Sequence, residues 1–399
     1  MNSKIIGGVL LICGTSIGTG ILGIPSDTGE AGFGWSLLLF LLCWIFSTLA
    51  ALLYMEVHLW QKSSTSNLLS MTDFFFGPKA KSLVWVIYLA LLYSLMCTYL
   101  LAGSSWIIQS LSYLSHITLG QIPGMSIFIG LIGLFIFFGI RLVDHVNRVM
   151  LVGLALTYIL ILGITLPTTQ SQLLLQPAQD LWLLPKAIPL LITAFGYSII
   201  VPSLSTYFER NAKMLQKTIM IGSVITLIIY ILWETATLGN IPLHGPHGLR
   251  EIAHGLDNGT EVANALIHIT QNPHLTYIIT LFALFAVITS FLGVSMALYH
   301  ALADGLQVET RGMSGGLLLL LTYIPPMIFL LIIPTGFNQI LSWAGVLVAF
   351  LMGVLPALMI LKGRYVLQLK GYRVPGGIVL PCVVLLFFML VMGAEFLNK

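Results

Sequence analysis

Charged residues are scarce in this chain of 399 amino acids. Aspartate, glutamate, lysine and arginine make up 8% of the residues, whereas hydrophobic residues make up 58%. A soluble domain carries about a quarter charged residues, so the composition excludes a soluble globular protein. The chain also lacks blocks of like charge and low-complexity linkers. Their absence argues against a separate soluble domain.

Cysteine is also rare, and its spacing excludes two kinds of site. The four cysteines, Cys13, Cys43, Cys97 and Cys382, fall at irregular intervals inside apolar runs. Zinc sites and disulfide frameworks need paired spacings, so we interpret these cysteines as packing residues. The sequence contains no HExxH motif, paired acidic metal site or phosphate-binding loop. We therefore expect neither enzymatic activity nor a cofactor.

Long apolar runs, by contrast, are abundant. Each is about 20 residues long, enough to cross a hydrocarbon core as a helix, whereas a β-barrel would show alternating segments of about ten residues. The runs predict an all-α integral membrane protein, in which residues 1–399 form a single membrane transport domain with 11 transmembrane helices. We place the helices at 5–25, 34–60, 82–112, 124–142, 147–166, 186–208, 217–239, 274–304, 314–333, 338–361 and 375–397.

The basic residues are distributed unequally between the loops. If the N-terminus is cytoplasmic, fourteen lysines and arginines fall on the cytoplasmic side and three, Lys186, Arg250 and Lys399, fall on the other. Cytoplasmic loops of membrane proteins carry the excess of positive charge. The distribution therefore predicts a cytoplasmic N-terminus and, because the number of spans is odd, a C-terminus outside.

The first span contains the stretch GTSIGTGILGIP, from Gly14 to Pro25. Glycine and proline weaken a helix, and hydroxyl side chains bond freed backbone groups. Glycines spaced as GxxxG can instead serve close helix packing, but the combination favours a break. Non-helical backbone at membrane depth persists only where it is buried in protein or lines a cavity. The break therefore predicts a binding site.

A second interrupted span contains Gly196, Ser198 and Pro202. An ordinary proline kink is the alternative, but FGYSI at 195–199 shares the pattern xGxSI with CGTSI at 13–17. The two positions lie in spans 1 and 6, so each unit would contain five spans, and because five is odd the second unit enters the membrane from the opposite side. Interrupted helices at matching positions of inverted halves mark the substrate site of secondary transporters. The predicted units are a first repeat at 1–166, a second at 186–361 and an extra helix at 375–397.

The first-span motif resembles the helix 1 signature of the amino acid, polyamine and organocation transporter superfamily. It is most similar to that of the bacterial hydroxy and aromatic amino acid permeases, and Trp233–Pro242 and Thr289–Asp304 are similar to that family too. The resemblance covers essentially the whole chain. It implies a leucine-transporter-type fold, with two inverted five-helix repeats and an eleventh helix. It also implies ion-coupled import of an amino acid across the bacterial inner membrane. Tyrosine is the first choice of substrate, and tryptophan, phenylalanine or another neutral amino acid stays open.

The resemblance also implies roles for particular residues. Half-helix N-termini attract a carboxylate, and unwound carbonyls accept from an ammonium group. The implied carboxylate site is Thr15, Ser16, Gly18, Thr19 and Gly20. The implied ammonium site is the carbonyls of 13–15 and of Phe195, Gly196, Tyr197 and Ser198. Phe195 and Tyr197 are also expected to wall an aromatic side chain, together with Tyr93 and Tyr99, for which plain packing is the alternative.

The resemblance also implies that the coupling ion is a proton, with sodium as the alternative. Acids inside membrane spans are functional candidates because burying a charge there is costly. Glu56 and Glu234 are the two candidates, Glu56 first, although it could be a satisfied helix-end carboxylate. Thr289 and Ser290 match the position at which sodium-coupled members of the fold bind an ion; alternatively, their hydroxyls bond their own helix.

Two further functions stay open at this stage. Residues 312–316, GMSGG, match the GxSxG motif of serine hydrolases, although a helix cap explains Ser314 more simply. Two broken helices also suit a channel, but rings of charged residues are absent. The expected partners are the lipid bilayer and a small-molecule amino acid, not nucleic acid. The oligomeric state cannot be inferred.

Overall fold

The computed structural model describes residues 3–18, 20–61, 66–115, 119–137, 140–176, 184–246, 248–253, 258–270, 273–309, 312–333 and 336–397. Throughout these ranges the regular structure is helical, without β-strands. The helices up to residue 176 are α1 Ser3–Ser16, α2 Gly20–Thr28, α3 Phe33–Trp60, α4 Leu68–Phe76, α5 Pro78–Ser115, α6 Gln121–Phe128, α7 Leu134–Phe137, α8 Ile140–Thr165 and α9 Ser171–Leu174.

The second part of the chain continues in the same way. Its helices are α10 Leu184–Ala194, α11 Val201–Tyr207, α12 Ala212–Leu238, α13 Leu249–Ala253, α14 Asn258–Thr270, α15 Pro273–Leu306, α16 Gly312–Ile332, α17 Phe337–Val348, α18 Leu355–Leu361 and α19 Val379–Leu397. A π-helical segment, Ala349–Val354, joins α17 to α18.

Eight helices of the described chain are long and apolar enough to cross a membrane. The bent pair α1 and α2 makes a ninth span if the two are counted together, and two shorter apolar helices, Gln121–Gly133 and Val379–Glu395, add to these. The prediction of an all-α membrane protein is therefore confirmed. The count of eleven spans and the inverted repeat stay predictions.

The first predicted break lies between α1 and α2. The two helices are bent by 57° relative to one another. The backbone between them is held by short-range bonds, with Gly18 N donating to Ser16 O over 2.9 Å and Ile21 N donating to Gly18 O over 3.3 Å. The regular hydrogen-bond pattern of the α-helix stops at the cluster of glycine and hydroxyl residues.

The second predicted break lies between α10 and α11. The α-helix ends at Ala194, and a 3₁₀ turn at Tyr197–Ile200 leads into α11. Gly196 fits this turn because a Cβ at this position would lie 2.8 Å from the Thr193 carbonyl oxygen. The start of α1 and the end of α11 lie on the same side, since Lys4 contacts Glu209 at 2.9 Å. The two broken helices are therefore antiparallel.

Close helix packing surrounds the two breaks. The long helix α15 packs against α5 and α8, α1 packs against α12, and α10 packs against α17. Gly345 of α17 sits directly on the backbone carbonyl of Pro189, so a side chain at residue 345 would collide with α10. Both breaks are thus fixed between continuous helices.

Candidate functional site

A cavity of about 460 Å³ lies at the two breaks. Small-molecule sites commonly have volumes of about 300–1,000 Å³, so it is large enough for an amino acid. Helices α1, α5, α8, α10 and α15 contribute to its wall, as do the turn before α11 and residues at and after the end of α17. Among the residues predicted from sequence, those that line the cavity are Thr15, Tyr99, Gly196, Thr289 and Ser290.

The first break contacts α15 at the cavity wall. A Cβ added to Gly18 would lie 2.7 Å from Ser290 Oγ, so a larger residue would force the break or the Ser290 side chain to move. Thr15 and Ser16 donate their hydroxyl protons to the carbonyls of Leu11 and Ile12, at 2.7 and 3.0 Å. Thr19 lies outside the described residues, and Gly20 begins α2.

The second break reaches the cavity through Gly196, Ile199 and Ile200 and not through its aromatic rings. Gly196 lines the cavity, together with Thr193. Phe195 and Tyr197 are buried elsewhere: the Phe195 ring packs 4.9 Å from that of Tyr230, and the Tyr197 hydroxyl is 2.7 Å from Thr48 Oγ1. Ser198 borders a separate void of only about 10 Å³.

The aromatic wall comes instead from one face of α5. Tyr88 and Tyr99 line the cavity with three leucines between them, at positions 91, 92 and 95. These positions recur every three or four residues, which places them on one helical face. Tyr93 lies off this face, and its hydroxyl donates to the Leu321 carbonyl of α16 at 2.8 Å. The same periodicity identifies Tyr88, which the sequence analysis missed.

The hydroxyls of α15 lie beside the first break. Thr289 donates to the carbonyls of Phe285 and Ala286 in its own helix, at 2.8 and 3.1 Å. This is the self-bonded arrangement named as the alternative to an ion ligand. Ser290 faces Gly18, as described above.

The whole chain is similar in sequence to known membrane transport proteins. The profile of the tryptophan/tyrosine permease family matches residues 1–395. The chain belongs to this family. Tyrosine-specific transport systems 1 and 2 of Haemophilus influenzae are 31% and 28% identical to the permease, over 99% and 100% of its length and 97% of theirs. A tryptophan-specific transport protein of Pseudomonas aeruginosa is 32% identical over 96% of this chain and 92% of its own. Family members are transporters, so the hydrolase interpretation of Ser314 is set aside.

Glu56 of the permease is part of a buried ion pair. Its two carboxylate oxygens accept from Nε and Nη2 of Arg364 at 2.8 and 2.5 Å, and Oε2 also accepts from the Val374 amide at 2.6 Å. The side chain of Glu56 is fully buried and that of Arg364 is 3% exposed. Three donors stabilise the charged carboxylate. The geometry favours the second interpretation of Glu56, a satisfied carboxylate at a helix end.

Glu234 has a different environment. It is fully buried on α12. Its Oε1 accepts from the Thr28 hydroxyl of α2 at 2.5 Å, and its Oε2 has no hydrogen-bond partner within the described chain. None of the described ion pairs includes Glu234. A buried carboxylate without a cation is costly when charged, so this acid is a better candidate for carrying a proton than Glu56.

One face of α12 follows the broken first helix along its length. Gly222, Thr226, Tyr230 and Glu234 are spaced by four residues, and they meet Ile12, Cys13, Ser16 and Thr28 in that order. The sequence analysis singled out Glu234 only. Gly222, Thr226 and Tyr230 could have been identified from the sequence, because small and polar residues recur every four residues along an otherwise apolar span.

An exposed ion pair joins the start of α1 to the turn after α11. Lys4 Nζ lies 2.9 Å from Glu209 Oε1, and both side chains are at least half exposed. The hydrogen bond from Lys4 and its positive charge lower the pKa of Glu209, which lies in the turn after α11. Because both groups are solvated, the pair is a weak connection.

Proposed function

We propose that this permease imports an aromatic amino acid, with tyrosine as the first choice, across the bacterial inner membrane by proton symport. The observation that carries the proposal is the meeting of two interrupted helices at one cavity of about 460 Å³. The relatives' names, which specify tyrosine in two cases and tryptophan in one, support an aromatic substrate.

We assign the two parts of an aromatic amino acid to two parts of the site. Amide groups at the start of α2, which begins at Gly20, suit the carboxylate, because a helix N-terminus presents free N–H groups and the positive end of its dipole. Carbonyls of the second break suit the ammonium group. The α5 face with Tyr88 and Tyr99 provides ring and leucine surface for the aromatic side chain, through offset or edge-to-face contacts.

The cavity extends from the breaks towards the side on which α1 begins. Leu10 and Leu11 of α1, Asn147 of α8 and Ala297 of α15 line it on this side. The unequal distribution of lysine and arginine supports assigning this side to the cytoplasm. The structure would then be the inward-facing state of an alternating-access cycle, in which one repeat moves relative to the other.

Glu234 is the group that we assign to proton coupling. The Thr28 hydroxyl lies within hydrogen-bond distance of both Glu234 Oε1 and the Ile24 carbonyl, at 2.5 and 2.8 Å. One hydroxyl proton cannot serve both acceptors. If Glu234 is protonated, both contacts can be hydrogen bonds, because the carboxylic acid donates to the Thr28 hydroxyl and that hydroxyl donates to the Ile24 carbonyl. Loss of the proton leaves α2 with one hydrogen bond fewer, so protonation acts directly on a half-helix of the substrate site.

Uptake into proteoliposomes tests the proposal. Labelled tyrosine, tryptophan, phenylalanine and serine are offered under an imposed pH gradient or an imposed sodium gradient. We expect an inside-alkaline gradient to drive accumulation of tyrosine and much less accumulation of serine. An imposed sodium gradient should not drive tyrosine accumulation. Accumulation driven only by sodium would overturn proton symport, and a preference for serine would overturn the aromatic substrate.

The variant Glu234→Gln tests the coupling residue. Glutamine keeps the size and hydrogen bonds of the protonated acid but cannot release a proton. We expect Glu234→Gln to bind and exchange tyrosine while losing accumulation driven by the pH gradient. Glu30→Gln is the control, because Glu30 is paired with Arg250 at 3.9 Å and has no assigned role. Proton-driven accumulation by Glu234→Gln at the wild-type level would remove Glu234 from the mechanism.

A further inference from the structure

The hydroxyl of Tyr230 connects the two helix breaks. It lies 2.6 Å from the Ser16 carbonyl, the last residue of α1, and 2.8 Å from the Ala194 carbonyl, the last residue of α10. Both carbonyl oxygens therefore contact one atom. Each of these carbonyls ends the α-helical segment before a break, so one side chain of α12 contacts both points at which the backbone leaves the helix.

The Tyr230 side chain is held firmly in this position. It is 1% exposed, and its ring packs against that of Phe195, with centroids 4.9 Å apart. A buried aromatic ring has only two side-chain torsions to fix, so its hydroxyl is placed at low entropic cost. Phe195 belongs to the second break itself, so the ring and the hydroxyl of Tyr230 both contact that segment.

The hydroxyl sets the distance between the breaks. The two carbonyl oxygens cannot be further apart than the two hydrogen-bond lengths together. Tyr230 has one hydroxyl proton for the two acceptors, so the two carbonyls share it in a three-centre hydrogen bond. The shared bond links the two segments without fixing one of them rigidly.

We propose that Tyr230 is a positioning residue for the substrate's charged head group. By holding α1 and α10 together at their ends, it fixes the spacing between the amides and carbonyls of the first break and those of the second. Both sets must reach the same amino acid, so a change in their spacing weakens binding of the head group. The inference rests on the proposed function, because it assumes that the substrate is held between the two breaks.

The test compares two tyrosine-to-phenylalanine variants. Tyr230→Phe keeps the buried ring and removes the hydroxyl. Tyr158→Phe is the matched control, because Tyr158 of α8 is also buried, is 6% exposed, and donates to the Ile229 carbonyl at 2.6 Å, one residue before Tyr230. Both variants lose one hydrogen bond from a buried tyrosine to a backbone carbonyl, so any general loss of stability is shared.

The readout is equilibrium binding of labelled tyrosine and labelled tryptophan to the purified permease, with the melting temperature measured in parallel. For Tyr230→Phe we expect the Kd to rise about tenfold, the upper range for one hydrogen bond, and by the same factor for both amino acids, because they share the head group. For Tyr158→Phe we expect no change in Kd. A Tyr99→Ala variant, altered in the side-chain wall, should change the ratio of the two Kd values.

Three outcomes would contradict the inference or its basis. Equal Kd values for Tyr230→Phe and wild type would remove the positioning role. A rise of Kd in Tyr158→Phe as large as in Tyr230→Phe would show that the effect is general destabilisation. If the wild-type protein binds neither amino acid, the proposed function fails instead, and this result is distinct from the other two.

Discussion

At the scale of single residues, disrupting the ion pair of Glu56 and Arg364 is expected to reduce the stability of the fold strongly. Removing one partner of a buried pair leaves the other charge unpaired, which costs about 3–5 kcal/mol. We therefore expect Arg364→Met to lower the melting temperature of the purified permease strongly. The double variant Glu56→Gln with Arg364→Met should recover much of the loss, because no charge is then buried alone. A double variant as unstable as the single one would contradict a charge-based explanation.

This pair also shows what the sequence could not predict. Glu56 was recognisable as an unusual acid in an apolar span, but its partner lies 308 residues further along the chain. No local pattern connects the two. The same holds for Tyr230, whose bonds to Ser16 and Ala194 cross between helices that are distant in sequence. Contacts of this kind depend on the packed fold.

At the scale of helices, the contact between the first break and α15 gives a sharp prediction. Gly18→Ala would place a Cβ 2.7 Å from Ser290 Oγ, closer than real contacts allow. We expect uptake of tyrosine to fall at least tenfold, because the break or the Ser290 side chain must move from its position at the site. Ser290→Ala removes the colliding oxygen while its Cβ lies 3.9 Å away, so the double variant should regain uptake.

Gly163→Ala is the matched control for this experiment, since a Cβ at Gly163 of α8 meets nothing within 4 Å. It should transport like the wild type. If Ser290→Ala fails to rescue Gly18→Ala while transporting well by itself, steric contact is not the reason for the loss.

The helix breaks were predictable because their causes are local. Glycine, proline and hydroxyl residues act on the backbone within a few residues, and both breaks occur where these residues cluster. Side-chain directions were less predictable. Phe195 and Tyr197 sit at the break, yet their rings point into the protein, because aromatic rings at an irregular turn pack wherever neighbouring helices leave space. On the regular helix α5, by contrast, the 3.6-residue period identifies the lining tyrosines.

At the scale of the whole molecule, the cavity determines which side of the membrane reaches the site. We expect a cysteine at Ala297, which lines the cavity, to react with a membrane-impermeant thiol reagent from the cytoplasmic face. The interpretation of all four cysteines as packing residues is wrong for Cys382, which is exposed, whereas Cys13, Cys43 and Cys97 are buried. A Cys382→Ser background removes the exposed thiol. Inside-out and right-side-out vesicles give the comparison, and bound tyrosine should slow the reaction.

Ser26→Cys is the control for the opposite side, because Ser26 of α2 is 1% exposed and packed against Asn338. It should stay unlabelled in both kinds of vesicle. Faster labelling of Ala297→Cys in right-side-out vesicles would reverse the proposed orientation.

The contact between Lys4 and Glu209 has a practical consequence for handling the protein. Lys4 lies about two helical turns before the residues of α1 that line the cavity. An affinity tag or fluorescent fusion at this end of α1 would therefore add bulk where the second broken helix ends. Expression vectors that leave the first residues untouched are the safer choice for kinetic work.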